Sequence, residues 1–274
     1  MLHLNRLIKN PIKLFSKLKK KNLINFSTTT GKYQSFIDEI TELGKNRISS
    51  AVYFANVHMF VEAYKSSAFN ELISKADIVA PDGLPLAWML RLLYGIKQDR
   101  VAAMDFLPDI LLRMEQEQLP VYFYGGTQEM LDRTSVFLQK KYPALKVTGL
   151  YSPPFRPLTP DEQVEIINNI NAVNPAIVFV FLGCPKQEKW MAGMKGKVNA
   201  VMTGVGGAVP VTIGMQRRAP KWMRNAGLEW LFRLFQEPRR LFKRYATTNS
   251  LFTWVMIKEF FKVRILIPLR ISKA

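Results

Sequence analysis

The stretch AIVFVFL at residues 176–182 decides the fold class, because all its side chains are apolar and an extended segment of this kind is buried on both faces. It leads into GCPKQ at 183–187, a glycine turn that opens a predicted helix. Similar short runs recur along the chain: AVYFA (51–55), DIVA (77–80), PVYFY (120–124), LKVTGL (145–150) and NAVMT (199–203). Each of these runs is predicted to be a strand.

Longer helical patterns separate these runs, near 57–74, 84–94, 105–118, 127–141, 160–173 and 186–197. Buried strands that alternate with helices indicate an open α/β fold of Rossmann type, a parallel sheet with helices on both faces. Ligands of such folds bind outside the carboxyl ends of the strands. The loops that follow the predicted strands are therefore the place to search for a site.

The composition excludes several classes of protein. Hydrophobic residues make up 48% and aromatic residues 12% of the 274 residues, which excludes a largely disordered chain. The single cysteine, Cys184, excludes an intramolecular disulfide and a cysteine-based zinc site. With only two histidines, His3 and His58, a His-rich metal centre is disfavoured, and we expect no bound metal.

The net charge of +18 lies entirely at the two ends of the chain. Residues 1–22 hold seven Lys or Arg and no acid, and residues 217–274 hold fourteen Lys or Arg against three Glu. The middle, 23–216, is neutral. A neutral body between two basic, apolar ends predicts attachment to an anionic surface, either a membrane or a nucleic acid.

The N-terminal end lacks the uncharged apolar run and the cleavage site of a signal peptide. Asn10-Pro11 indicates a helix start, after which Leu14, Phe15 and Leu18 share one side and lysines cluster on another. This pattern predicts an amphipathic helix in a membrane interface. A basic tail without a helix is an equal alternative.

The C-terminal end places aromatic side chains between basic ones over residues 228–270. The apolar stretch 251–269 is interrupted by four charges, each of which costs roughly 2.5–3.5 kcal/mol at the centre of a spanning helix. An interfacial helix is therefore favoured over a spanning one. A terminal helix packed on the core is the alternative. The apolar load disfavours nucleic acid as the partner.

Glycine pairs occur in the predicted strand-end loops. Gly125 and Gly126 precede one helix, and Gly204, Gly206 and Gly207 precede another, so that backbone N–H groups there can approach a diphosphate. Neither run completes a dinucleotide-binding or P-loop fingerprint. On the glycines alone, a tight turn is as good an explanation as a phosphate site.

Asp82 is the most suggestive single residue, since it follows an apolar strand and stands where a helix begins. Its local context favours capping of that helix, while the alternative is a carboxylate in the ligand crevice that accepts a proton from a hydroxyl. Arg100 is placed to pair with a phosphate or an acid. Cys184 as an activated thiol is disfavoured, since only His58 is a plausible partner.

Six motifs together resemble the WecG/TagA/CpsF glycosyltransferases over residues 48–245. They are PDG (81–83), RVAAMD (100–105), YGGT (124–127), LGCPKQEKW (182–190), GVGGAV (204–209) and RAPKWMRNAGLEWLFRLFQEPRR (218–240). The resemblance implies a Rossmann-like enzyme that transfers a sugar with inversion and without a metal. The implied donor is a UDP-sugar, of the N-acetylmannosamine type or glucose, and the implied acceptor is linked to a polyprenyl diphosphate on the cytoplasmic membrane face.

The resemblance also assigns roles to residues of this sequence. Asp82 matches the proposed general base, and Asn56, Arg100, Asp105 and Gln187 match positions that bind donor or acceptor. The glycine loops would hold the diphosphate. The C-terminal basic segment, which is taken to close over the site and touch the membrane, matches at Arg233, Arg240 and Arg244.

Two positions depart from the pattern of the family. Phe54 stands where a threonine often assists at the site, which puts the sugar selectivity in doubt. Ala103 replaces the usual glycine of the arginine motif, a change that is tolerable unless the backbone needs a positive φ. The basic N-terminal extension lies outside the resemblance.

We therefore expect a basic amphipathic extension (1–25), a Rossmann-like glycosyltransferase domain (26–227) and a helical, membrane-associating appendage (228–274). The expected partners are a UDP-sugar, the lipid-linked acceptor and an anionic membrane surface. We expect neither a nucleic acid partner nor a cofactor other than the donor substrate. Homo-oligomerisation is an open alternative. The alternative function is a nucleotide-binding module at the membrane without catalytic activity.

Overall fold

A computed structural model describes residues 17–24 and 26–262 of the chain. The strands among these residues are β1 (Lys19–Leu23), β2 (Phe26–Thr30), β3 (Ser50–Ala55), β4 (Ile78–Pro81), β5 (Val121–Gly125), β6 (Val147–Tyr151), β7 (Ile177–Phe181) and β8 (Val201–Gly204). The helices are α1 (Tyr33–Lys45), α2 (Val57–Lys65), α3 (Ser67–Ser74), α4 (Leu84–Tyr94), α5 (Ala103–Gln116), α6 (Gln128–Lys141), α7 (Pro160–Ala172), α8 (Lys186–Met194), α9 (Ala208–Thr212), α10 (Lys221–Asn225), α11 (Glu229–Gln236) and α12 (Pro238–Phe261).

Six of the strands form one parallel sheet in the order β4-β3-β8-β7-β5-β6. Alternate residues of the central strands face opposite layers. Val178 and Val180 lie in one core cluster, and Ile177 and Phe179 lie in the other. Because both faces are covered, these strands need apolar side chains at every position. The predicted α/β fold with helices on both faces is confirmed.

Each face of the sheet has its own set of helices. Side chains of α2, α3, α4, α7, α8 and α12 belong to one core cluster. Side chains of α1, α5, α6 and α9 belong to the other. All six predicted strands are present with ends shifted by no more than two residues. The single helix predicted over 57–74 is two helices, because the hydroxyl of Ser66 accepts a hydrogen bond from Phe69 N at 3.2 Å and starts α3.

The antiparallel hairpin of β1 and β2 was not expected from the sequence. Thr28 Oγ1 donates to Val79 O at 2.9 Å, and Val79 N donates to Thr29 Oγ1 at 3.0 Å, so the hairpin lies against β4 at the edge of the sheet. An edge strand covered in this way cannot pair with another chain. The predicted helix is wrong over Lys19–Leu23, which form a strand. Its remaining part up to residue 16 lies outside the described residues.

The C-terminal helix α12 is packed on the core. Leu241, Thr248, Phe252 and Val255 are buried along one side of it. The rings of Phe252 and Phe60 meet edge to face with centroids 5.3 Å apart, which joins α12 to α2. Over 17–24 and 26–262, no helix combines the length and the apolar character needed to span a membrane. Attachment of this segment to a membrane remains a prediction.

Candidate active site

A cavity of about 1320 Å³ opens at the carboxyl ends of the strands. Its floor is formed by the loops that follow β3, β4, β7 and β8, together with the start of α8. Its roof is formed by α11 and α12 from the C-terminal segment. The position agrees with the rule that ligands of open α/β sheets bind at this edge.

The cavity brings together most of the residues singled out in the sequence. Those that line it are Asn56, Asp82, Arg100, Gly126, Gln187, Gly204, Gly206, Gly207, Arg233, Arg240 and Arg244. Asp105 and Gly125 do not line it. The residues come from loops far apart in the chain, and the parallel sheet is what places their loops at one edge.

Asp82 does not cap the helix that follows it, so the local expectation of capping is wrong. The N-cap position of α4 is Gly83, with φ of 96° and no side-chain hydrogen bond. The Asp82 backbone is fixed because its N–H donates to Ala55 O at 2.7 Å. Its carboxylate accepts no hydrogen bond from the described residues, and the residue lines the cavity. The carboxylate is therefore available to a substrate hydroxyl.

The electrostatic surroundings of Asp82 suit a base. Burial raises the pKa of its carboxyl to about 7, with a further increase from the charge of Glu229. Arg100 and Arg233 lower this pKa, and Asp105 raises it slightly. A carboxylate with a pKa near neutral is a stronger base than an ordinary aspartate and is still largely ionised at slightly alkaline pH.

Asn56 is an N-cap residue as well as a cavity residue. Its Oδ1 accepts a hydrogen bond from Met59 N at 3.1 Å and so starts α2. Its amide nitrogen makes no hydrogen bond to the described residues. Asn56 can therefore offer a rigidly placed N–H donor to a substrate oxygen, since capping holds the other end of the amide.

Gln187 braces two of the strand-end loops. Its Oε1 accepts from Gly183 N at 3.3 Å, and its Nε2 donates to Gly204 O at 3.2 Å and to Glu188 Oε1 at 2.8 Å. The amide is thus fully engaged within the protein. The structure gives Gln187 the task of tying the loop after β7 to the loop after β8, while its contact with substrate remains a prediction.

Asp105 lies behind the cavity and holds arginines. Its carboxylate accepts hydrogen bonds from Arg100 and Arg218, and Arg224 Nη1 lies 3.5 Å from Oδ1. Arg100 Nη1 also donates to Glu229 Oε2 at 3.2 Å. The resulting cluster links α5 to the segment that begins the C-terminal roof. The cluster is an anchor for that segment, and contact of Asp105 with a ligand remains a prediction.

Three arginines of the roof line the cavity, and one of them lies against a glycine loop. Arg233 approaches Gly207 closely, since a Cβ at Gly207 would lie 3.2 Å from its Nη2. Arg240 is paired with Glu237. The Arg244 guanidinium carbon lies 5.2 Å from the centre of the Tyr245 ring, and its Nε is buried without a partner among the described residues. Together they make this end of the cavity positive.

Gly125 has a role in packing. Its φ is 130°, and a Cβ there would lie 2.9 Å from the carbonyl carbon of Phe181 in the neighbouring strand. Only glycine allows β5 and β7 to approach at this point. The neighbouring Gly126 does line the cavity. The diphosphate role predicted for Gly125 and Gly126 remains a prediction for both, and of the two only Gly126 lines the cavity.

The other end of the cavity is apolar. Met256, Phe260 and Phe261, near the end of α12, line it, and Leu92 of α4 adds to the apolar lining of the cavity. Ile257 and Phe261 of α12 also line the cavity and are 52% and 51% exposed, so this end is open to solvent. A cavity with a charged end and an aromatic, open end suits a ligand that has a polar head and an apolar tail.

The remaining titratable groups of the cavity are poor nucleophiles. Burial and the neighbouring Glu188 hold the pKa of the Cys184 thiol well above its usual value, which disfavours a thiolate as expected. Burial and Arg244 lower the pKa of His58. Glu188 is fully buried, and burial raises its pKa. Across the described ranges, no three His, Cys, Asp or Glu side chains are grouped as a metal site.

The two departures from the family pattern have different settings. The ring of Phe54 lies 4.8 Å from that of Phe106 and forms part of the cavity wall, so an apolar surface replaces the hydroxyl expected there. Ala103 is the first residue of α5 and has no positive φ. The methyl group of Ala103 is therefore tolerated, as expected.

Several cavity residues were missed in the sequence, above all Glu229 and Trp88. Glu229 touches Arg100, which precedes it by 129 residues, so no local pattern connects the two. Trp88 reads as one apolar residue of an apolar helix. The one available signal was the position of Glu229 within NAGLEW (225–230), inside the longest of the motifs.

Comparison with known proteins agrees with this site. Residues 21–265 match the glycosyl transferase WecG/TagA/CpsF family. The chain is 30% identical over 203 residues to an N-acetylglucosaminyldiphosphoundecaprenol N-acetyl-beta-D-mannosaminyltransferase of Bacillus spizizenii, covering 74% of this chain and 77% of the relative. It is 27% identical over 225 residues to a protein of the same name from Bacillus subtilis, covering 81% and 86%. The chain belongs to the WecG/TagA/CpsF family of glycosyltransferases.

Proposed function

We propose that this glycosyltransferase moves a sugar from a UDP-sugar to an acceptor linked to a polyprenyl diphosphate, with inversion and with Asp82 as the general base. The observation that carries the proposal is the carboxylate of Asp82. It does not cap α4, it lies at the charged end of the cavity, and its pKa is about 7. The relatives named above act on a diphosphoundecaprenol-linked sugar and transfer N-acetyl-beta-D-mannosamine. An N-acetylmannosamine-type sugar is therefore the first donor to test, and glucose the second.

The chemistry needs one base and one site of positive charge. An acceptor hydroxyl attacks the anomeric carbon, the bond from that carbon to the UDP oxygen breaks, and the hydroxyl proton passes to Asp82. A single displacement inverts an α-configured donor to a β product, which agrees with the beta linkage in the relatives' names. Negative charge develops on the departing UDP. Arg233, Arg244 and the glycine loops line the cavity, and we assign the stabilisation of this charge to the two arginines and to the N–H groups of those loops.

The apolar end of the cavity supports a lipid-linked acceptor. Ile257 and Phe261 line the cavity and are also exposed on α12, so the apolar end is continuous with an outer surface. A polyprenyl chain could leave the cavity along this path while its diphosphate and sugar stay at the charged end. The opening matches a substrate that stays partly in a membrane.

The direct test is transfer by the purified full-length protein. UDP-N-acetylmannosamine and UDP-glucose are each supplied with an N-acetylglucosamine linked to a polyprenyl diphosphate, and the product is analysed by mass spectrometry and by the NMR coupling of the new anomeric proton. A β-linked disaccharide from one donor is expected. Binding of UDP without transfer from any UDP-sugar would favour the alternative, a nucleotide-binding module without activity.

We further propose that the outer surface of α12 contacts an anionic membrane. Trp254, Ile257 and Phe261 recur at three- and four-residue spacing on the side opposite the buried residues of the helix, and each is about half exposed. The Lys258 ammonium lies 5.2 Å from the centre of the Trp254 ring. Aromatic rings with basic neighbours are typical of interfacial helices.

Removing an exposed aromatic side chain from α12 should weaken membrane binding. Trp254 does not line the cavity, so Trp254→Ser leaves the site intact. Its partition into vesicles of phosphatidylcholine and phosphatidylglycerol should fall about tenfold or more in a sedimentation assay. Val136→Ser, at an exposed residue of α6, is the control and should bind as the unchanged protein does. Equal binding of all three proteins would contradict the proposal.

A further inference from the structure

Glu229 occupies an unusual position at the junction between the roof and the floor of the cavity. It is the first residue of α11 and lines the cavity. Its Oε2 accepts a hydrogen bond from Arg100 Nη1 at 3.2 Å, and its Oε1 is buried without a partner among the described residues. A buried carboxylate oxygen without a donor is costly, so its place in the cavity calls for an explanation.

Arg100 is shared between two carboxylates. One of its terminal nitrogens binds Asp105 and the other binds Glu229. Asp82 lines the same cavity and makes no hydrogen bond to Arg100. The charge of Arg100 is thereby taken up mainly by Asp105 and Glu229, and Asp82 stays without an ion-pair partner.

We propose that Glu229 is a positioning residue for the transfer reaction: it holds Arg100 together with Asp105 and brings a second carboxylate into the cavity that Asp82 lines, so that docking of the C-terminal segment leaves Asp82 free of an ion-pair partner. The inference rests on the proposed role of Asp82 as the general base. It gives the C-terminal segment an effect on the reacting carboxylate that is separate from any contact with the diphosphate or the membrane.

The electrostatics of the cavity support this arrangement. After burial, the charge of Glu229 is the largest influence that raises the pKa of Asp82. The other charged groups that face Asp82 are Arg100 and Arg233, which lower its pKa, and Asp105, which raises it. Glu229 and Arg233 come from α11, Asp105 from α5, and Arg100 from the loop before α5. Two of the four charges therefore arrive with the C-terminal segment.

Neutralising Glu229 should shift the titration of Asp82 to lower pH. In Glu229→Gln the negative charge is lost and Arg100 is less neutralised, and both changes favour the ionised form of Asp82. The midpoint should fall by roughly one pH unit, the size of effect expected of one nearby charge. It is measured by carbon NMR of protein labelled with [13C]aspartate, with the Asp82 signal assigned by its loss in Asp82→Asn. The acid limb of the pH profile of kcat should move in the same direction.

Glu237→Gln is the matched control. Glu237 belongs to the same segment, lines the same cavity and is paired with an arginine, Arg240, yet it is not among the charges that act on Asp82. Its replacement should leave the Asp82 midpoint where it is. Glu229→Asp keeps the charge but withdraws it by one methylene, and its midpoint should lie between those of Glu229→Gln and the unchanged protein.

The two readouts separate this inference from the proposed function. An Asp82 midpoint that is unchanged in folded Glu229→Gln would overturn the inference. Should that variant not fold, a midpoint in Glu229→Asp at or above that of the unchanged protein would overturn it equally. A shifted NMR midpoint with an unmoved pH profile would support the influence of Glu229 and refute Asp82 as the base.

Discussion

Replacing Asp82 by Asn should reduce kcat about 10²–10⁴-fold, because a positioned base contributes that much to a proton transfer. The amide keeps the size and the partial burial of the side chain but cannot accept the proton of the acceptor hydroxyl. UDP binding, measured by calorimetry, should change little, since the glycine loops and the arginines stay in place. Asp82→Glu keeps a displaced carboxylate and should retain more activity than Asp82→Asn. Turnover like that of the unchanged protein in Asp82→Asn would refute the assignment.

The same variant should be more stable than the unchanged protein at neutral pH. The folded protein raises the pKa of Asp82 from 3.8 to about 7, so ionisation of this carboxyl costs stability as the pH rises. The cost is absent below the unfolded pKa, grows between pH 4 and 7, and is fully present above. Asp82→Asn escapes it. Its gain in Tm should therefore be largest above pH 7 and should vanish towards pH 4, as thermal unfolding at several pH values would show.

Replacing Asp105 by Asn should destabilise the fold strongly. Its carboxylate holds Arg100, Arg218 and Arg224, and with the charge removed three guanidinium groups face one another. A broken buried ion pair costs 3–5 kcal/mol, and partial exposure of this cluster lowers the expected loss to about 2–4 kcal/mol. Urea unfolding should report this loss. The folded Asp105→Asn protein should bind UDP with nearly unaltered affinity. Loss of a direct ligand contact would instead weaken UDP binding.

Asp109→Asn is the matched control for Asp105→Asn. Asp109 lies one turn later on α5, and its exposed carboxylate accepts a hydrogen bond from the Tyr33 hydroxyl at 2.7 Å. Its replacement should cost no more than about 1 kcal/mol, the usual value of one exposed hydrogen bond. Equal losses in the two variants would contradict the role of Asp105 as an anchor of the C-terminal segment.

The fold was predictable because burial on both faces leaves a strong signal. The strands β3, β5 and β7 are short runs of apolar residues in the sequence, and the structure places them within two residues of the predicted ends. The strand β1 was not predictable, since its sequence KKKNL is dominated by lysines. The segment is a strand because it pairs with β2, and its own residues do not reveal this pairing. Ser66 divides one predicted helix into two by a single hydrogen bond, which helical periodicity does not reveal.

The part of the site that lies in the loops directly after the strands was predictable. Asp82 was found because it stands directly after a buried run, and Asn56 because the resemblance to the family assigns a role to its position. The environment of Asp82 was not predictable, because it depends on Glu229, which is brought to the site by a segment distant in sequence. Asp105 was predicted to contact ligand because of its motif, while its actual contacts with Arg218 and Arg224 cross more than a hundred residues.

The packing of α12 on α2 has a consequence for folding of the chain during its synthesis. The residues of the sheet, Asp82 and the glycine loops are synthesised before α11 and α12, and domains can fold as they emerge from the ribosome. Arg233, Arg240 and Arg244 arrive last, and Phe252 can meet Phe60 only when the helix around it has left the ribosome. During synthesis, Asp82, the proposed base, is therefore present before α11 and α12 can cover the cavity.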